Sequence, residues 1–269
     1  MYKLFQLLPD FKGKLRLSKM VFSGRIKAGT EQQFTVNDGL KFTTPNLTEN
    51  VSFELFVNGS YEPETMQIIL NNLPKNGVFV DVGANIGAIS VPLAKTRPDV
   101  SVVAFEASPA VYSYLKRNVE NNKLSNIQAN NLAIHTLDDG ELPFFSTMEK
   151  NGKGSFSPVF TEESVMVKTI SLRTFLGAKN LVPDLIKVDV EGYEKLIFES
   201  AGEVLDTPGL KILFEFVDWA EELANYKPGE SQQLLLDKGF TLTDINTGAE
   251  VRQALTKGSA MLLATKKNA

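Results

Sequence analysis

Four acidic residues stand at the ends of apolar runs in this sequence, a placement that suits ligand binding or acid–base chemistry. They are Asp81, Glu106, Asp189 and Glu215. Because the carboxyl ends of parallel strands meet at one edge of an open α/β sheet, we expect these four side chains to converge there. A structural protein has no need for such convergence, so the pattern favours a functional site.

The first acid belongs to the segment VFVDVGANIGAIS, residues 78–90. An apolar run ends at Asp81, Gly83 and Gly87 follow, and an apolar-periodic segment then begins, which predicts a strand, a tight turn and a helix. Glycine suits a turn in which the backbone takes a positive φ or passes close to a ligand. We expect Asn85 to stabilise this turn.

Charge indicates which ligand this turn accepts. The glycine spacing is G-x-x-x-G, not the G-x-G-x-x-G of dinucleotide sites. Asp81 beside a pyrophosphate is unfavourable, whereas beside an ammonium or sulfonium group it is favourable. Glu106 follows the next apolar run, where an acidic residue binds ribose hydroxyls in nucleoside-binding α/β folds. These residues favour S-adenosylmethionine, which has both cations and no phosphate, over NAD.

A second acidic pair lies in the segment DVEGYE. Asp189 and Glu191 are two residues apart, so they share one face of an extended segment at the rim of the sheet. Crowded carboxylates need a divalent metal, a ligand ammonium or a shared proton. We favour direct action of Asp189, Glu191 or Glu215 on an acceptor hydroxyl, because no complete metal-ligand set is visible in the sequence. Asp189 is also expected to contact the cofactor.

The motifs DVGANIG, AFEASP, LIKVDVEGYE and ILFEF, in this order, resemble the FkbM family of S-adenosylmethionine-dependent methyltransferases. The resemblance covers roughly residues 61–269. It implies a class I fold and methylation of a hydroxyl oxygen on a sugar, a glycan or a natural-product scaffold. Many relatives carry a histidine in an E-x-H pattern at the position of Glu215. Here Glu215 precedes Phe216 and Val217, so this base is not expected.

Four further residues are assigned, three of them through the resemblance. Asn131, after the third strand, faces the adenine in class I methyltransferases, although it equally fits a turn. Tyr61 and Glu64 belong to a Y/W-E-P-E element that is expected to line the substrate site, although Glu64 also fits the acidic first turn of a helix. His135, the only histidine, lies in an expected strand and is assigned a structural role ahead of a catalytic one.

These motifs require a Rossmann-like α/β fold with a mostly parallel seven-stranded sheet and helices on both faces. Residues 1–60 are expected to form a small β-rich or mixed cap, with apolar runs at 34–36, 40–42 and 51–57 separated by hairpin-type turns. Residues 61–269 form the methyltransferase domain, with an insertion at about 137–170. Within the insertion, the glycine loop 151–155 is expected to cover the substrate.

Composition limits the remaining classes of function. A chain of 269 residues with 43% apolar content buries a large core. The net charge of −4 does not support a general nucleic-acid surface, and the lack of cysteine excludes thiolate chemistry. A small-molecule or glycan acceptor is therefore expected, whereas the oligomeric state is left open. A catalytically inactive nucleoside-binding or scaffold protein is the alternative, with an NAD-dependent oxidoreductase third.

The N-terminal segment is apolar and basic, but Pro9 and Asp10 end its apolar run before a secretory signal develops. No apolar run approaches the length of a membrane span, so stable membrane insertion is not expected. A cytoplasmic location is expected. Contact between this segment and an anionic membrane is one interpretation. The preferred interpretation is that this N-terminal segment packs over the edge of a domain.

Overall fold

The computed structural model describes residues 1–9, 11–146, 154–158 and 161–267. In chain order the helices are α1 Tyr2–Leu7, α2 Lys14–Val21, α3 Asn50–Asn58, α4 Pro63–Asn72, α5 Ser90–Thr96, α6 Pro109–Asn121, α7 Leu172–Lys179, α8 Glu194–Ala201, α9 Asp218–Leu223 and α10 Glu230–Asp237. The strands are β1 Gln32–Thr35, β2 Lys41–Thr44, β3 Val78–Val82, β4 Ser101–Phe105, β5 Ile127–Asn130, β6 Ala133–Ile134, β7 Gly140–Phe145, β8 Ser164–Ile170, β9 Leu185–Val188, β10 Lys211–Val217, β11 Phe240–Asp244, β12 Glu250–Val251 and β13 Ser259–Lys266.

The central sheet has the order β12-β11-β13-β10-β9-β3-β4-β5 over the described ranges. Strands β5, β4, β3, β9 and β10 are parallel, and β13, β11 and β12 continue the sheet in antiparallel fashion. The predicted Rossmann-like, mostly parallel sheet is confirmed. It has one strand more than the predicted seven, because the two-residue β12 pairs with β11. The strand order changes direction at β3, where open α/β sheets bind their ligands.

Helices cover both faces of the sheet, as the continuous apolar strands require. Successive strand residues point to opposite faces. Val80 packs in a cluster with apolar residues of α7, α8 and α10, whereas its neighbour Phe79 packs in a cluster with residues of α4, α5 and α6. Asp81 shares the face of Phe79, so its carboxylate lies on the side of α4, α5 and α6.

The first 60 residues contain three helices and the antiparallel hairpin β1–β2 within the described part. The hairpin and its turn at residues 37–39 agree with the sequence pattern. The expectation of a short strand at 51–57 is wrong, because this run lies in α3 and ends at Gly59 in the left-handed conformation. Its apolar residues are buried on several sides of the helix, a pattern that a short run does not distinguish from a strand. The division into a cap and a main domain stays a prediction.

The insertion contributes a three-stranded sheet of order β6-β8-β7. Strand β8 pairs in parallel with β6 and antiparallel with β7. Of the predicted glycine loop, residues 151–153 lie outside the described ranges, whereas Gly154 and Ser155 are described. Ser155 forms an isolated bridge with Phe145 at the end of β7.

A buried asparagine joins the N-terminal hairpin to the main sheet. The side chain of Asn118 on α6 accepts from the backbone N–H of Thr43 at 2.7 Å. Its amide donates to the carbonyls of Thr43 at 3.1 Å and of Ile86 at 2.9 Å. Because Asn118 is fully buried, water cannot replace these bonds. One side chain therefore connects β2, α6 and the turn that follows β3.

Replacing Asn118 with leucine keeps the side-chain volume but leaves backbone groups of Thr43 and Ile86 without partners. We expect the Asn118→Leu variant to lose about 2–4 kcal/mol in free energy of unfolding, measured by denaturant titration. The control is Lys116→Ala on the exposed side of the same helix, which should stay within about 0.5 kcal/mol of the parent. Equal stability of the two variants would contradict the assigned connection.

Candidate active site

A cavity of about 230 Å³ opens at the carboxyl end of β3, where the strand order changes direction. Most of the residues predicted for the site line it, namely Tyr61, Asp81, Gly83, Asn85, Glu106, Asp189, Glu191 and Glu215. Three predicted residues, Glu64, Gly87 and Asn131, are not among its lining residues. The cavity therefore brings together residues from four strand ends, as the topology of the sheet requires.

Strand register explains this convergence. Val82 is paired with Phe105 on one side and with Val188 on the other, and Val188 is paired with Phe214. The residue that follows each member of this row lies at the edge of the sheet. Glu106 follows Phe105, Gly83 follows Val82, Asp189 follows Val188 and Glu215 follows Phe214. The glycine and the three carboxylates thus follow one row of the parallel sheet.

Gly83 has a steric role at the centre of that row. Its φ is +85°, and a Cβ built on it would lie 2.0 Å from the carbonyl oxygen of Asp189. No side chain fits there without displacing backbone. Gly87 also has a positive φ, of +87°, but its Cβ would meet the side chains of Val91 and Leu115. Gly87 therefore allows close packing of α5 and α6 beneath the turn and does not face the cavity.

A buried ammonium group lies between two of the predicted acids. Lys187, 3% exposed, is the register partner of Asp81 on the neighbouring strand. Its Nζ is 3.0 Å from Oδ2 of Asp189 and 3.9 Å from Oδ1 of Asp81. Burial alone lowers the pKa of Lys187, but the carboxylates of Asp189, Asp81 and Glu62 outweigh it and raise this pKa above the ordinary value. Lys187 therefore remains charged.

Asp81 is held in place from two sides. Its Oδ2 accepts from the hydroxyl of Ser90, in the first turn of α5, at 2.5 Å. Burial raises the pKa of Asp81, and the nearby ammonium of Lys187 and this hydroxyl oppose that effect. Its Oδ1 is buried without a hydrogen-bond partner among the described residues. The carboxylate can therefore accept a hydrogen from a cationic ligand in the cavity.

Glu106 is fixed by backbone donors at the end of β4. Its Oε2 accepts from the N–H of Asn85 at 3.0 Å, and its Oε1 accepts from the N–H of Ser108 at 2.9 Å. Burial raises its pKa to about 7, against the effect of these two donors. Each carboxylate oxygen has a second lone pair for a ligand hydroxyl. Asn85 contributes through its backbone and has a left-handed φ of 51°.

The rim of the cavity is strongly acidic. Burial, followed by the carboxylates of Asp189, Glu191 and Glu62, raises the pKa of Glu215 to about 7 against the opposing charge of Lys187. A carboxylate with this pKa exchanges protons near neutral pH, which suits a general base. Overall, the described lining residues include seven carboxylates and one ammonium group. Such a cavity attracts cations.

The segment before α4 contributes differently from the prediction. Glu64 lies exposed in the first turn of the helix, as the alternative interpretation had it. Glu62 lines the cavity instead, with a left-handed φ of 42° and its Oε2 buried without a hydrogen-bond partner in the described part. Burial, followed by the charges of Glu62 and Asp189, raises the pKa of Tyr61 far above its ordinary value. Tyr61 is therefore a neutral hydroxyl, and its hydrogen bond to the side chain of Glu62 contributes to the raised pKa.

Asn131 and His135 have local structural contacts. The amide of Asn131 donates to the carbonyls of Glu106 and Ala107, both at 2.9 Å, and so fixes the segment after β4. The Nδ1 of His135 accepts from the N–H of Leu137 at 3.0 Å, and its ring packs at 5.3 Å from that of Phe156. Neither residue lines the cavity.

An aromatic wall joins the insertion to the DVEGYE segment. The ring of Phe156 packs against those of Phe144 at 5.4 Å and Tyr193 at 5.5 Å, and all three line the cavity. The hydroxyls of Tyr193 and Ser157 are 2.6 Å apart. The insertion therefore forms one side of the cavity.

Sequence reasoning missed several of these residues. Lys187 has a visible signal, since a lone lysine inside the apolar strand β9 requires a carboxylate partner. Ser90 and Glu62 have none, because only the folded chain brings them to the cavity. Glu194, the last residue of DVEGYE, is buried, and its Oε1 accepts from the N–H groups of Val190 and Gly192, both at 3.3 Å.

The arrangement fits a nucleoside that carries positive charge. Gly83 allows the turn to pack against the backbone of Asp189, Oδ1 of Asp81 has no hydrogen-bond partner among the described residues and suits an ammonium group, and Glu106 presents fixed acceptors for two hydroxyls. No group of three or more His, Asp or Glu residues has metal-binding geometry within the described ranges.

Residues 81–242 match the methyltransferase FkbM domain. Methyltransferase sdnD of Sordaria araneosa is 27% identical over 224 residues, which cover 71% of this chain and 81% of that protein. A tRNA(Phe) (4-demethylwyosine(37)-C(7)) aminocarboxypropyltransferase of Methanocaldococcus jannaschii is 38% identical over 69 residues, or 26% of this chain and 27% of that protein. TYW2 of P. horikoshii in complex with MeSAdo aligns at 15% identity with a TM-score of 0.48, covering 95% of this chain and 83% of that one.

The buried carboxyl of Glu194 should make stability depend on pH. Burial raises its pKa from 4.5 to about 8, so its contribution to stability is complete below the lower value and is lost as the pH rises through the upper one. Glutamine keeps an acceptor oxygen but does not titrate. We expect Glu194→Gln to lose less stability than the parent between these two pH values, measured as the shift in Tm.

The control for this experiment is Glu199→Gln, on the same helix and 41% exposed, which should follow the parent. If the Tm of the Glu194→Gln variant depends on pH in the same way as that of the parent, the carboxyl of Glu194 is not the titrating group.

Proposed function

Since the chain belongs to the methyltransferase FkbM family, whose domain matches residues 81–242, we propose that it transfers a methyl group from S-adenosylmethionine to a hydroxyl on a sugar, a glycan or a natural-product small molecule. The observation that carries the proposal is the cavity at the carboxyl end of β3. There, carboxylates outnumber cationic side chains, and the glycine turn after β3 lines the cavity together with the fixed carboxylates of Asp81 and Glu106.

The cofactor is assigned to the half of the cavity around Gly83. Asp81 would bind the ammonium of the methionine moiety, with Lys187 and Ser90 holding the carboxylate in place. Glu106 would bind the two ribose hydroxyls. The apolar residues Leu132 and Ala133, which line the cavity beyond Glu106, are suited to the flat face of the adenine. When bound, the cofactor supplies an activated methyl group on a positively charged sulfur.

The acceptor is assigned to the rim formed by Tyr61, Glu62, Asp189, Glu191 and Glu215. Methyl transfer to oxygen is an in-line displacement, so the main task of the protein is to align the acceptor oxygen with the methyl carbon. Tyr61 can donate a hydrogen bond to the acceptor, and the carboxylates can accept from its hydroxyl groups. This division of roles supports a polyhydroxylated acceptor.

Glu215 is the best candidate for the general base. Its pKa of about 7 allows it to take the proton of an acceptor hydroxyl near neutral pH. Asp189 is less suited to this task, because its Oδ2 is committed to the ammonium of Lys187 at 3.0 Å. We assign Asp189 to positioning of the acceptor and cofactor, and Glu191 to the acceptor rim.

A divalent metal is not needed for this scheme, although the rim is acidic enough to attract one. A catalytically inactive nucleoside-binding protein is the second candidate, favoured by one observation. The family's E-x-H histidine is replaced by Val217, and His135 does not line the cavity. Turnover separates these two functions, because both bind the cofactor.

The ribose role of Glu106 is tested by calorimetric titration with S-adenosylhomocysteine, S-adenosylmethionine and NAD. The parent should bind the two sulfur nucleosides and not NAD. Glu106→Gln should weaken binding of S-adenosylhomocysteine by about 10- to 100-fold, because an amide has one acceptor oxygen in place of the two carboxylate oxygens assigned to the ribose hydroxyls. The control is Glu120→Gln, on the exposed face of α6. Unchanged affinity in Glu106→Gln would contradict the assigned ribose site, and binding of NAD alone would contradict the proposed function.

The role of Glu215 as the base is tested by the pH dependence of turnover. The acceptors are a panel of saccharides and hydroxylated scaffolds, and turnover is measured as the formation of S-adenosylhomocysteine. For the parent, kcat/KM should rise as the pH increases through about 7, because Glu215 acts in its deprotonated form. Glu215→Gln should lack this rise and be slower by about 10²- to 10⁴-fold.

The exposed Glu222→Gln is the control for that measurement and should keep the parent profile. A pH profile retained in Glu215→Gln would assign the base to another group. Cofactor binding without turnover on any acceptor, with or without magnesium, would favour the inactive alternative.

A further inference from the structure

The first two helices expose apolar side chains that nothing in the described chain covers. On α1 and in the residue after it, Leu4 is 66%, Leu7 81% and Leu8 43% exposed. On α2, Leu17 is 44%, Met20 71% and Val21 43% exposed. These residues, with Met1 and Phe11, are named the outer face. Soluble surfaces seldom contain so many large apolar side chains within one short segment, so the outer face needs a partner.

The helices are nevertheless held firmly by their inner sides. The ring of Tyr2 stacks on that of Phe56 at 4.9 Å, and the ring of Phe5 packs on that of Phe22 at 5.1 Å. The amide of Gln6 donates to the carbonyls of Thr35 and Phe56, both at 3.1 Å. The outer face is therefore presented by an anchored pair of helices whose inner sides already have partners.

The two helices form one surface. Met1 at the start of α1 and Val21 at the end of α2 line the same shallow groove. Within α2, Leu17, Met20 and Val21 are three and four residues apart, so they form a single stripe along the helix. Met1 and Val21 thus bring the apolar residues of the two helices together at that groove.

Basic side chains flank this apolar stripe. Lys3, Lys12, Arg16 and Lys19 are all exposed, and the first 27 residues contain seven basic residues against one acidic. Since the whole chain has a net charge of −4, the remainder is strongly acidic. The charge is therefore polarised, with the positive end at the outer face.

From this combination we propose that the outer face of α1 and α2 docks on the surface of an anionic lipid bilayer. Apolar residues beside basic ones are the arrangement by which amphipathic helices enter the boundary between headgroups and acyl chains. The leucines and Met20 insert at that boundary, and the basic residues bind lipid phosphates and carboxylates. The acidic remainder is repelled, which orients the protein on the membrane.

The charge of the outer face favours lipid over a second copy of the chain. A two-fold contact through the outer face would set its basic residues against the same residues of the other copy, which costs free energy. The docking is also peripheral, since no helix in the described ranges is long and apolar enough to cross a bilayer.

The test is flotation of the full chain with vesicles of phosphatidylcholine alone and with vesicles that also contain phosphatidylserine. We expect binding to the anionic vesicles only, weakened by added salt. The triple variant Lys3→Gln, Lys12→Gln and Arg16→Gln should lower the partition coefficient about a hundredfold, because each basic residue near an anionic surface contributes about fivefold.

The apolar contribution is tested with Leu7→Gln combined with Met20→Gln, which should abolish flotation while leaving Tm unchanged, since both side chains are exposed. The matched control is Met166→Gln combined with Val182→Gln, exposed apolar residues elsewhere that should float like the parent. Absence of vesicle binding, or equal binding to neutral vesicles, would overturn the proposal. The proposal would also be overturned if the parent self-associated and the Leu7→Gln and Met20→Gln changes removed this self-association without affecting flotation.

Discussion

The buried ammonium of Lys187 is the interaction on which the site depends. An isolated charge in a protein interior costs several kcal/mol, so Lys187 requires both of the carboxylates that flank it. Asp81 is its partner across β3 and β9, and Asp189 is its partner at the end of β9. This pairing fixes the two strand ends relative to each other. It also consumes part of the acceptor capacity of Asp189, which is why we propose Glu215 rather than Asp189 as the base.

The close approach at Gly83 depends on the same geometry. The turn after β3 can lie against the carbonyl of Asp189 only because residue 83 has no Cβ. A nucleoside that reaches the turn therefore meets backbone and the fixed carboxylates of Asp81 and Glu106. Because Lys187 is committed to its partners, the excess of negative charge in the cavity is left for the ligand to balance. A sulfonium nucleoside with an amino-acid moiety brings an ammonium and a sulfonium group against one carboxylate, a net positive charge, whereas a dinucleotide brings an anionic pyrophosphate.

Much of the fold and of the candidate site could be predicted because the topology of the sheet determines where the strand ends lie. The apolar runs that became β3, β4, β9 and β10 are unambiguous, and parallel register then carries Asp81, Glu106, Asp189 and Glu215 to one edge of the sheet. The helix at 51–57 could not be predicted from its run, because its burial comes from packing against α1 and α2. Glu62 could not be predicted for a related reason, since its left-handed backbone turns it into the cavity in place of Glu64.

The opposite charges of the two functional surfaces are linked through α3. Phe53 and Phe56 of this helix pack against α1 and α2 or contact their side chains, whereas Asn50 and Val51 at its start line the cavity. One helix therefore contacts the inner sides of the two helices that carry the basic outer face and, at its start, the acidic cavity. A cation-binding cavity placed directly on an anionic surface would compete with that surface for cations. Separation of the two by α3 allows the chain to bind an anionic surface with one end and a positively charged cofactor within its acidic body.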